Sequence, residues 1–115
     1  MESLEGIWLP IAAELAGEAA PAMVLAKTEV ELADGRYLVR FGGAIADHGT
    51  YVAADGRLTL TGVAGPNAGR VIPCLFRFVG DTLSICYGLD GCLPTAFATA
   101  PGGQLYLVTY RRGTR

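Results

Sequence analysis

"TEVELADGRYLVRF", residues 28–41, decides the fold. Its first five residues alternate polar and apolar, Ala33-Asp34-Gly35 turns the chain, and the alternation then resumes. Successive side chains of an extended strand point to opposite faces. Tyr37, Val39 and Phe41 therefore share one face, and Arg36, Leu38 and Arg40 share the other. Asp-Gly between two such runs is a hairpin signal, because a two-residue turn of this kind needs a left-handed backbone at both positions. A helix would repeat its apolar residues every three or four positions, and this stretch does not.

The same pattern extends through the chain. Gly42-Gly43 bends it into "AIADHGTYVA" (44–53), and a second Ala-Asp-Gly (54–56) leads to "RLTLTGV" (57–63), with Leu58 and Leu60 on one face. "GPNAG" (65–69) is a loop. "RVIPCLFRFV" (70–79) follows, with Ile72, Cys74, Phe76 and Phe78 together, and with Pro73 predicting a bulge or an edge because it cannot donate to a ladder. Gly80-Asp81 turns into "TLSICYG" (82–88). After the loop 89–94 come a short strand "TAFAT" (95–99) and a last strand "QLYLVTYRR" (104–112). The first strand spans about 4–14. Gly17 and Pro21 limit the Ala-rich segment that follows to a short helical piece near residues 20–27, Pro21 standing at its start. Eight or nine strands with short connections leave no room for crossover helices. The expectation is a single all-β domain, 1–115, with an antiparallel meander that closes into an up-and-down barrel, since closure removes exposed edges.

Composition narrows the function classes. Of the 115 residues 51% are hydrophobic and 17% charged, too apolar for a disordered chain. The net charge is −2, and the basic residues are scattered until Arg111, Arg112 and Arg115. A nucleic-acid binder would carry a basic stripe, so no nucleic-acid partner is expected. No stretch reaches the ~18 apolar residues of a membrane span. "MESLEGIW" lacks the basic and apolar regions of a secretory leader, and the expected location is the cytoplasm. Cys74, Cys86 and Cys92 form an odd set with no Cys-x-x-Cys pair, which favours reduced thiols. Cys74 and Cys86 are expected inside and Cys92 in an exposed turn. One histidine and no ligand spacing argue against a metal site, and no cofactor is expected.

"LEGIW" (4–8), with Gly6 and the single tryptophan Trp8, resembles the first-strand marker of lipocalin-like barrels. "DGRYLVRFGG" (34–43), "GTYVA" (49–53), "GPNAGR" (65–70), "GDTLSICYG" (80–88) and "LPTAF" (93–97) follow in an order similar to that of a family of uncharacterised bacterial lipocalin-like domains, first catalogued in planctomycetes. The Ala-rich 11–26 region departs from the family. The resemblance implies that Trp8 packs across one end of the barrel near Arg111 or Arg112 of the last strand, a cation–π contact, with Gly6 letting the backbone bend into the barrel floor. It brings no enzymatic activity and no ligand with it.

Candidates for chemistry are few. His48 is the one acid–base candidate, but its neighbour Asp47 points to the opposite face of a regular strand. A nucleophilic Cys86 would need His48 within reach across the barrel. "GGAIADHG" and "GVAGPNAG" lack the Lys-Ser/Thr and the helix of a phosphate loop. The expectation is a non-enzymatic protein. Tyr37, Val39, Phe41, Phe76, Phe78, Tyr87 and Tyr106, with His48 as a polar contact, are the candidate lining of a site for a small apolar or amphipathic molecule. The alternative is a filled core, with an apolar outer face that serves protein interaction or a homodimer. A cavity of ~300 Å³ or more would favour the first.

Overall fold

The computed structural model describes residues 3–113. Its elements are β1 (Gly6–Leu15), β2 (Glu18–Ala19), α1 (Ala22–Lys27), β3 (Thr28–Ala33), β4 (Arg36–Phe41), β5 (Ala44–Ala54), β6 (Arg57–Ala64), β7 (Val71–Val79), β8 (Thr82–Gly88) and β9 (Leu105–Arg112). From β3 to β9 each strand pairs antiparallel with the next, and β1 lies between β3 and β9. Eight strands thus close into an all-β up-and-down barrel, with β2 a two-residue addition to β1. Among the described residues no helix is long and apolar enough to cross a membrane.

The turns are those their residues demand. Asp34 and Gly35 have φ of 52° and 75°, and Asp55 and Gly56 have 53° and 76°, the left-handed pair of a tight hairpin. The alternating residues then divide as period two requires. Leu32, Tyr37, Leu58, Leu60, Ile72, Cys74, Leu83, Ile85, Val108 and Tyr110 are buried inside, while Arg40 lies on the outer face with Glu29 at 2.6 Å and Glu31 at 3.1 Å.

The end of the barrel that carries the 34–35, 55–56 and 80–81 turns is plugged. Trp8 is buried there, its indole N–H donating to the Leu4 carbonyl at 2.7 Å and its ring 6.2 Å from Phe78. The Arg112 guanidinium lies 4.2 Å from the indole and donates to the Glu5 carbonyl at 2.6 Å. Arg112, directly opposite Trp8 across the β1–β9 ladder, makes this contact, whereas Arg111 is exposed and pairs with Leu9 and Thr82. Gly6 has φ of 133°, and a Cβ there would stand 2.6 Å from an Arg112 guanidinium nitrogen. Gly6 therefore admits both the bend and the arginine.

Other details refine or differ from the sequence reading. Residues 95–99 form no strand; 89–104 is one long connection, anchored at its base by the Leu89 amide on the Gln104 carbonyl at 3.1 Å. It straps the outer face: Phe97 lies under the Arg77 guanidinium at 4.2 Å, and Thr99 bonds Glu14 and accepts from the Gly17 amide. Cys86 consequently faces outward yet is fully buried against the Ala98 backbone. The β7 ladder to β6 is regular through Pro73, and the ladder to β8 starts only at Cys74, so the proline sits unbulged at an edge position, where no donor is needed. Strand β1 starts at Gly6, is bulged between Pro10 and Ala12, and ends in an Ala16-Gly17 hairpin to β2. Helix α1 does follow Pro21, over six residues.

Candidate functional site

The opposite end of the barrel opens onto a cavity of about 230 Å³. Every closed-barrel strand contributes to it. Val30 and Leu32 come from β3, Leu58 and Leu60 from β6, Ile72 from β7, Ile85 and Tyr87 from β8, and Val108 and Tyr110 from β9. Leu25 of α1, Asn67 of the 65–69 loop and Leu89 of the strap stand at the mouth. The barrel is therefore hollow. Its chamber is smaller than the ~300 Å³ at which drug-sized pockets begin, yet larger than the ~150 Å³ that admits a benzene-sized guest.

Of the sequence candidates, Tyr37, Val39, Tyr87 and Tyr106 meet in this cavity. Phe76 and Phe78 do not. They point inward at the plugged end, their rings 6.1 Å apart edge to face, beside Leu4 and Tyr51 in a separate depression. The inward face of β7 runs the whole length of the barrel, and these positions lie at its far end. Phe41 keeps its phase, its ladder to β3 being regular, but it ends β4 beside the Gly42-Gly43 turn and is exposed at the rim of the barrel. His48 sits opposite Leu38 on the outer face, in a groove with Arg36 and Arg40. On β5 it is three strands away from Cys86 of β8, so the two do not meet.

Two polar groups interrupt the apolar wall. Deep inside, the Tyr87 and Tyr110 hydroxyls lie 2.6 Å apart, with the Tyr106 ring 5.7 Å from that of Tyr87. At the mouth Asp47 is only 8% exposed and belongs to the same cavity. The Tyr37 hydroxyl approaches its Oδ1 at 3.4 Å, and the Asn67 amide donates to its Oδ2 at 2.7 Å. Arg70 in turn donates to Asn67 Oδ1 at 3.1 Å and to the Leu89 carbonyl. The sequence reading weighed Asp47 only as a partner for His48, and read Asn67 as a turn residue. The signal was present nonetheless: on β5 Asp47 falls in phase with Tyr51, on the inward side where a charge is out of place.

Burial pushes the Tyr37 hydroxyl up to about 12, helped by the charge and hydrogen bond of Asp47. Burial likewise raises Tyr87 and Tyr110 well above their usual range. All three are protonated donors at neutral pH. The unfolded chain releases these protons near pH 10, whereas the folded one still holds them. The unfolded state therefore binds fewer protons above pH 10, and stability falls there. Denaturant titrations are expected to show full stability below about pH 10 and a loss as pH rises through about 12. A flat profile across that window would contradict the buried hydroxyls.

Comparison with protein-family models, with curated proteins and with solved structures finds nothing that matches this chain.

Proposed function

We propose that the chain is a non-enzymatic binding barrel of the lipocalin-like kind, holding one small, largely apolar molecule in the chamber beneath α1. The observation that carries this reading is the hollow interior, apolar on every barrel strand but β5 and furnished with a few inward polar groups, the usual make-up of a ligand site. Its volume limits the guest to about one ring and a few further atoms. Membership of the bacterial lipocalin-like family is part of the proposal, supported by the order of the motifs and by the contact of Trp8 with Arg112. Three free thiols support a cytoplasmic location.

The test is native mass spectrometry on freshly expressed protein, followed by titration with toluene read by nuclear magnetic resonance. Saturable toluene binding is expected. It should be lost in Val39→Phe, which fills the chamber from its wall while the spectrum stays that of a folded barrel.

A second reading, a homodimerising module, is favoured by outward-facing valines on three neighbouring strands. Val52, Val63 and Val71 on β5, β6 and β7 are 71%, 61% and 56% exposed. Sedimentation separates the two. A concentration-dependent dimer abolished by Val71→Glu, with no toluene site, would replace the binding barrel by this module.

A further inference from the structure

We propose that the occupant of the barrel is a small organic cation, an ammonium group on an apolar body of about one ring. The proposal rests on the binding reading above and adds the charge of its ligand. Among the described residues, Asp47 is the only ionic side chain lining the cavity. Nine-tenths of it is buried, and no ion pair reaches it among the described residues, where the salt bridges are those of Arg40. A buried charge without a counter-ion is costly.

Arg70, close by in sequence to Asn67, does not supply that counter-ion; its guanidinium is directed to Asn67 and to the Leu89 carbonyl. The two partners of Asp47 are neutral, and each engages one oxygen, at 3.4 and 2.7 Å. A carboxylate offers roughly four acceptor positions. Capacity therefore remains on a carboxylate that faces an apolar chamber. Among the described residues no group of three His, Cys, Asp or Glu is placed to hold a metal ion, so an organic cation is the fitting counter-charge. An ammonium N–H at the mouth would complete Asp47 with a charge-assisted bond. The rings of Tyr37, Tyr87 and Tyr106 would offer π faces to the same cation.

The test compares three one-ring probes of similar size on the intact chain: benzylamine, benzyl alcohol and benzoate. Benzylamine, protonated at neutral pH, is expected to bind roughly 10- to 100-fold more tightly than benzyl alcohol, and benzoate most weakly. In Asp47→Asn, which keeps an acceptor for Asn67, the preference for the amine over the alcohol should vanish. Equal binding of the amine and the alcohol, or a preference that survives in Asp47→Asn, overturns the proposal. Should Asp47→Asn not fold, the order of the three probes on the unaltered chain still decides. The binding reading fails separately, when toluene finds no saturable site.

Discussion

Replacing Trp8 by alanine is expected to lower stability by about 3–5 kcal/mol, the range for removing a buried aromatic side chain. The loss is large because one ring serves three neighbours: Leu4 through its N–H, Phe78 through its face, and Arg112 through the cation above it. Alanine would leave a void at the plugged end. It would also leave the Arg112 guanidinium with its carbonyl acceptor but no π surface. Urea denaturation followed by tyrosine fluorescence checks the value. Trp8→Phe should recover much of it, since a ring still fills the space. A change below about 1 kcal/mol would show that this end does not depend on its plug.

A single methyl group is expected to do comparable damage at Gly62. Its Cβ would stand 1.9 Å from the Asn67 carbonyl oxygen and 2.5 Å from the carbonyl carbon, both backbone atoms that no side-chain rotation can move. The 65–69 loop folds back on this glycine. Gly62 donates to the Arg70 carbonyl at 2.9 Å, and its own carbonyl accepts from Gly69 at 3.0 Å. Gly62→Ala must therefore lift the loop, at a cost of about 3 kcal/mol, the upper part of the usual range for overpacking. It should also draw the Asn67 amide away from Asp47. Denaturation gives the first effect, and the Asn67 side-chain amide resonances give the second. A stable variant with those resonances unshifted would mean that the loop is not seated on the strand.

Local chemistry made the barrel legible. Asp34-Gly35 and Asp55-Gly56 announce their own turns, and Tyr37, Leu58, Leu60, Ile72 and Cys74 keep strict alternation, so inside and outside follow from period two. What escaped the sequence depended on distant parts of the chain. "TAFAT" has strand composition, yet its surroundings are the outer face of β7 and β8, where Phe97 meets Arg77; no partner strand is free to receive it. Phe41 keeps its phase but ends β4 at the rim, where alternation alone does not show that the barrel no longer encloses it. Phe76 and Phe78 were correctly placed inside, but height along the barrel axis, which separates plug from chamber, is not encoded in alternation. The Asp47–Asn67 contact joins residues twenty apart through a loop whose course only the packing on Gly62 fixes.

The seam between β1 and β9 governs how the molecule comes into being. Most neighbouring strands are joined by a few residues and can pair as soon as they leave the ribosome. Trp8 and Arg112, by contrast, are ladder partners across nearly the full span of the chain. Bringing such distant segments together carries the largest loop-closure entropy in the molecule, and pairing of this kind slows folding. During synthesis the nascent sheet therefore waits, open along β1, until the last strand is made. For that interval it offers an unpaired edge to any other extended chain. The outermost turn of the ladder, where Gly113 donates to the Ile7 carbonyl at 2.8 Å, closes that edge. Aggregation during expression, rather than instability of the finished barrel, is the hazard this topology creates.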